Sequence, residues 1–134
     1  STAEKVVNGV ITAQKLSGGT GTGNITQYTA ATTPLPSVGG VFTGTHAIGV
    51  VPAEAVLELT CLSADAGYAV EDVVDVTIMG NGSNFYPFST YKNTTGVGFK
   101  LASGYSATLT NKSSGSLVVP TAASWSYRFR LRAA

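Results

Sequence analysis

The clearest pattern in the chain is at its end. Trp125, Tyr127, Phe129 and Leu131 fall on one side of an extended backbone, and Ser126, Arg128, Arg130 and Arg132 on the other. Strict alternation of this kind predicts a strand with one wholly apolar face. Ala55–Leu62 repeats it, with Leu57, Leu59 and Cys61 opposite Glu58 and Thr60. So does Val73–Met79, where Val74, Val76 and Ile78 alternate with Asp75 and Thr77. The Asn81-Gly82 pair then predicts a turn, since both residues tolerate positive φ. Phe85–Tyr91 is aromatic-rich, but Pro87 marks it as an edge or bulged strand. Val97, Phe99 and Leu101 alternate with Gly98 and Lys100; Tyr105, Ala107 and Leu109 alternate with Ser106 and Thr108. Leu117–Val119 is a short strand closed by Pro120. Strands recurring every ten residues or so are the spacing of a sandwich or barrel.

The first forty residues read differently. Val6–Ile11 is an apolar run broken by Asn8-Gly9, and Thr12–Leu16 fits a helical turn or an extended stretch. Ser17–Asn24 is almost wholly Gly, Ser and Thr, and Ala30–Gly40 holds Pro34, Pro36 and paired glycines. Both are connector compositions. The expected organisation is an extended N-terminal arm and linker over residues 1–40, then an all-β, antiparallel sandwich or barrel-like domain over residues 41–134. Such an arm has little core of its own and needs the domain or a partner chain to order it.

Composition agrees with the sheet reading. The chain has 134 residues, 43% of them apolar and only 11% charged. Its surface must therefore be covered by Ser, Thr, Asn and Gly, which suits sheet proteins and subunits that bury much of themselves in an oligomer. Net charge is +1, which predicts neither nucleic-acid nor membrane binding. No apolar stretch approaches the ~20 residues of a membrane span, and no signal-peptide pattern is visible. Six of the seven acids lie between Glu54 and Asp75, and the later charged residues, from Lys92 to Arg132, are all cationic. The simplest reading is that the two sets face each other across strands or subunits; an anion-binding face is the alternative.

Few residues suggest catalysis. His46 is the single histidine, and a nucleophile–base site would need it. Its expected role is structural, fixing the Thr43–Gly49 turn through ring hydrogen bonds. A metal bound by three copies of His46 on a trimer axis is the sharper alternative. Glu71 and Asp72 are neighbours on one extended segment and point to opposite faces, so they do not form a glycosidase pair. Asp65 with a later acid is a conceivable calcium site, against the plainer reading of solvated turn acids. Cys61, the only cysteine, reads as a small buried hydrophobe. No catalytic residue, metal site or cofactor is assigned, and the chain is not expected to be an enzyme. The ligand-binding candidates are aromatics in or beside turns, Tyr68, Phe85, Tyr86, Tyr91 and Tyr105, because sugars bind by stacking on aromatic faces. Arg128 and Arg130 join them as potential partners for phosphates or acidic sugars.

Several stretches, in order, resemble the C-terminal domains of bacteriophage and prophage tail fibres. Thr45-His46-Ala47-Ile48-Gly49-Val50-Val51-Pro52 looks like that family's His-Gly-Leu-Gly-x-x-Pro turn. It is followed by Leu57–Cys61 and Asp65-Ala66-Gly67-Tyr68-Ala69-Val70-Glu71-Asp72, then by Tyr91–Phe99, Asn111-Lys112 and Trp125–Phe129. Ala47 and Glu71 stand where the family pattern commonly has Gly. The likeness covers roughly residues 41–134, and Val7–Leu16 resembles the family's short shaft repeats. Such shafts are threefold, so the resemblance implies a homotrimer. It further implies a virion protein, assembled in the bacterial cytoplasm and then extracellular, that recognises the host surface, its polysaccharide in particular. The alternative is a structural virion component that docks on other virion proteins: a head decoration, a head fibre or a collar protein.

Overall fold

A computed structural model describes residues 26–76, 80, 81, 84, 85 and 89–133. The strands are β1 (Thr26–Tyr28), β2 (Val41–Thr45), β3 (Glu54–Cys61), β4 (Val73–Val76), β5 (Gly80–Asn81), β6 (Asn84–Phe85), β7 (Ser89–Lys92), β8 (Gly96–Lys100), β9 (Leu109–Thr110), β10 (Leu117–Val118) and β11 (Trp125–Arg132). They form a four-stranded sheet ordered β1-β11-β3-β4, a three-stranded sheet ordered β2-β8-β7, and two small pairs, β9 with β10 and β5 with β6. All pairings are antiparallel. Among the described residues no helix is long and apolar enough to cross a membrane, and the helical structure is one 3-10 turn, Ala122–Ser124. The protein is all-β, as its alternation predicts.

The spine is β11 on β3. Every residue of β11 is paired, from Trp125 opposite Cys61 to Arg132 opposite Glu54. Tyr127 thereby meets Leu59 and Phe129 meets Leu57 on the inner face, while Arg128 meets Glu58 on the outer one. A slip of one residue would turn every one of these side chains over, so the apolar stripe itself sets the register. The three-stranded sheet closes the core from the other side with Phe42, Val97 and Phe99, all buried. Phe42 joins the two layers: its ring stands edge-on to Tyr127 at 4.9 Å and to Phe99 at 6.0 Å. Trp125, Phe42, Phe129 and Leu59 are 0% exposed, and burying each such side chain stabilises the fold by roughly 1.5–3 kcal/mol.

Residues 26–40, expected within the arm and linker, bond to the sandwich along β11. Tyr28 pairs with Arg130 and Thr26 with Arg132. The buried hydroxyl of Thr29 accepts the backbone N–H of Phe129 at 2.9 Å, Thr32 bridges to Tyr127, and Leu35 is 5% exposed within the core. The physical reason is that β11 has a second edge. Its backbone groups need partners, and a polar, Thr-rich segment supplies them without an apolar signature. The expected elements before residue 26, including the shaft-like stretch, lie outside the described residues.

The expected strand over Tyr105–Leu109 is shorter than its alternation suggests. Only Leu109 and Thr110 pair in a ladder, with β10. Ala107 is buried outside any ladder, so the alternation ahead of Leu109 reports burial without sheet pairing. The Phe85–Tyr91 strand is described as two pieces, β6 and β7, with residues 86–88 outside the description.

Candidate functional site

The outer face of the four-stranded sheet carries the arginine stripe. Glu58 sits at its centre, opposite Arg128. The Nε of Arg128 donates to one carboxylate oxygen of Glu58 at 3.0 Å, and Arg130 donates to the other. Arg130 also reaches Asp75 on β4 at 3.4 Å, and Arg132 pairs with Glu54 at 3.1 Å. The guanidinium of Arg128 additionally lies over the ring of Tyr28, 3.8 Å from its centre, a cation–π contact. Glu58 is 4% exposed although it lies on the outer face of the sheet, because the arginines roof it. Hydrogen bonding to Arg132, then that guanidinium's charge, holds the Glu54 carboxyl below its ordinary range. The acidic and basic sets face each other across β4, β3 and β11, and the charge that would attract an anion is already engaged within the sheet.

A second cluster lies where β3 gives way to its following turn. Asp65 and Tyr68 close a two-residue turn with reciprocal backbone bonds of 3.2 and 2.8 Å. Its central residues, Ala66 and Gly67, have φ of 53° and 80°, the two successive positive values of a tight type I′ turn. The turn aims Asp65 inward. Its carboxylate accepts the indole N–H of Trp125 at 2.9 Å and the backbone N–H and hydroxyl of Thr121 at 2.8 and 3.1 Å. Burial pushes the Asp65 carboxyl up, and the bonds from Trp125 and Thr121 outweigh that and leave it below the usual range. Tyr68 stands edge-on to Trp125 at 5.5 Å, and its hydroxyl donates to the carbonyl of Thr110 at 2.8 Å. Lys112 sits over the outer side of the Tyr68 ring and pairs with Asp72 at 3.0 Å. The backbone N–H of Ala69, then the Lys112 ammonium, holds the Asp72 carboxyl below its usual range. Residues 64–69 line a shallow, open concavity of about 610 Å3. Tyr68 takes part in it as a wall held at both ends, not as a loose side chain.

His46 anchors the loop after β2. Its Nδ1 accepts the N–H of Ile48 at 3.2 Å, which leaves Nε2–H to donate to the carbonyl of Asn93 at 2.9 Å. Both ring nitrogens are occupied within one chain, and the ring fixes the turn as its isolation in the sequence suggested. Asn93 in turn caps its own loop, accepting from the N–H groups of Thr95 and Gly96.

The expected ligand-binding residues do not converge. Tyr68 belongs to the Trp125 cluster, and Arg128 and Arg130 belong to the outer face of the four-stranded sheet. Tyr91 is on β7, opposite Gly98 of β8. Tyr105 is 41% exposed in the loop beside Gly39, whose N–H it accepts through its carbonyl at 2.8 Å. Phe85 pairs through its backbone with Gly80, and Tyr86 lies outside the described residues. Glu58 and Tyr28 were not among the expected site residues. Glu58 had a signal of its own, a carboxylate between two core leucines, but its partners lie 70 and 72 positions away. Among the described residues no three His, Cys, Asp or Glu side chains gather as a metal site would need. Comparison with family models, with curated proteins and with solved structures gives no match.

Proposed function

We propose that the chain is a bacteriophage fibre or tail-tip protein that recognises the surface of the host cell as a homotrimer, with glycan as the ligand class. The observation that carries this reading is how its tail-fibre-like stretches meet. The His46 turn docks on the Asn93 turn. The Asp65–Tyr68 turn holds Trp125 at the start of the closing strand. Lys112, beside Asn111, binds both Asp72 and the carbonyl of Ala66. Residues that carry the resemblance are therefore those that tie distant loops together, which is what a shared fold would demand of them. The occupied arginine stripe favours uncharged over acidic receptors, and exposed Tyr91 and Tyr105 supply aromatic surface of the kind sugars stack on. Three linked copies would raise avidity without any new contact.

Light scattering on the purified chain should give a mass near three times 13.6 kDa. The labelled protein should then bind a subset of a bacterial strain panel, with binding lost after periodate cleavage of surface glycans. A trimer that binds no strain would overturn the receptor-binding role. The second reading, a structural virion component, is favoured by apolar residues left exposed along loops and strand ends: Val50, Val51, Leu62, Val70, Leu117 and Val119. Density for the protein at the head or collar in a virion reconstruction would establish that reading instead.

A further inference from the structure

The outer face of the three-stranded sheet is built unlike that of the other sheet. By register it presents Ser89 and Tyr91 from β7, Gly96, Gly98 and Lys100 from β8, and Val41, Thr43 and Thr45 from β2. None of these is acidic, and the one ammonium, that of Lys100, is turned onto the carbonyl of Gly39. Thr43, Tyr91 and Gly98 form a single row across the three strands.

Gly98 is the middle residue of that row, on the central strand, where a glycine weakens a sheet and marks a close approach by something else. The approaching group is Tyr91. A Cβ on Gly98 would fall among the end atoms of the tyrosine ring, so the ring lies down across the sheet instead of standing away from it. Its other side is open, and Tyr91 is 45% exposed. The exposed Thr43, Thr45 and Ser89 hydroxyls share the face.

We propose that Tyr91, seated over Gly98, is the stacking platform for one uncharged pyranose ring, with the hydroxyls of Thr43, Thr45 and Ser89 disposed to take the sugar's own. This assigns the ligand site of the glycan-recognition reading and rests on it. Sugar C–H groups pack on an aromatic face, and a few polar groups around that face fix orientation. A face with no carboxylate and its ammonium engaged has nothing to reward a charged sugar. The ring also shields the bare backbone of Gly98, and a purely structural cover would do only that.

The test is amide-resolved NMR of the full chain titrated with millimolar methyl α-glucopyranoside, methyl β-galactopyranoside and N-acetylglucosamine, with N-acetylneuraminic acid as the charged comparison. At least one neutral sugar should give saturable shifts at Thr43, Tyr91 and Gly98. Tyr91→Phe should keep its affinity within about threefold, and Tyr91→Leu, which still covers Gly98, should weaken it roughly tenfold. A structural cover predicts a lower melting temperature for Tyr91→Leu with sugar affinity unchanged, and that outcome overturns the platform. Shifts confined to another surface, or to the charged sugar, overturn it while leaving glycan recognition standing. Silence with every sugar also overturns it, and the strain-panel experiment then judges glycan recognition separately.

Discussion

Asp65 and Trp125, 60 positions apart, are joined by a 2.9 Å hydrogen bond from the indole N–H to the carboxylate. Trp125 is fully buried, so its N–H has no water to fall back on. Asp65→Ala would orphan that donor, while the exposed N–H of Thr121, which also loses its acceptor, turns to water. The expected cost is about 2 kcal/mol of folding stability, read by urea unfolding monitored through the chain's single tryptophan. Asp65→Asn should cost less, since its amide oxygen still accepts one bond. A loss below roughly 0.5 kcal/mol for the alanine variant would mean that Trp125 is held by packing alone.

Acid should unfold the protein through the same residue. Asp65, Asp72 and Glu54 all have carboxyls held below their ordinary values in the folded state. A lowered folded value means that the unfolded chain takes up the proton first. The stability these groups contribute is therefore complete above the ordinary carboxylate range near 4 and drains away as pH falls through the folded values. Stability measured from neutral pH downward should stay level until about pH 5 and then drop. Asp65→Asn should make the drop shallower, because that position no longer titrates. An acid limb of equal steepness in the variant would remove Asp65 from the explanation.

Glu58 holds two arginines on a face where a carboxylate could have been fully solvated. Glu58→Gln keeps its shape and removes its charge; the single amide oxygen accepts from one of Arg128 and Arg130, and the amide NH2 faces the other. Both guanidinium groups remain about one-third exposed, their side chains at 37% and 35%, so water recovers part of the loss. A cost of about 1–2 kcal/mol is expected. Because Glu58 itself is buried, the difference between wild type and variant should persist in high salt. A difference abolished by salt would reclassify the pair as ordinary surface electrostatics.

Glu71 adopts φ of 78°, a left-handed conformation that a residue with a Cβ reaches only at a cost. The family-like pattern has Gly here, and the chain keeps the glycine geometry without the glycine. Glu71→Gly should raise stability by about 0.5–1 kcal/mol, the relief of strain exceeding the added chain entropy. Gly67→Ala, at φ of 80°, should do the reverse, since its Cβ would stand 2.8 Å from Oδ1 of Asn111. Paired thermal melts decide both signs.

Much of the fold was legible because burial imposes a period of two. Trp125–Leu131 and Leu57–Cys61 were readable residue by residue, and their inner faces are the core. The β1 edge was not, because a strand that contributes backbone bonds and a threonine hydroxyl leaves no apolar trace. Glycine in the family pattern at residues 47 and 71 was informative at only one of them: Glu71 needs positive φ, and Ala47 does not. The expected site was less legible than the fold. Exposure of a tyrosine beside a turn says nothing of what its ring leans on, so Tyr68, bound at both ends, and Tyr91, laid over Gly98, looked alike in sequence. The arginines were visible, but their carboxylate partners are set by strand register across some seventy residues.

The pairing of Thr26 with Arg132 places the first described strand beside the finish of the last. A load applied between these two points would run across the ladder rather than along it, so the β1–β11 bonds would yield one after another, like a zip, at low force. The β11–β3 seam, eight residues long, would stay shut while β1 peeled. Pulled this way, the domain would lengthen by a few residues at its rim before its interior felt any strain.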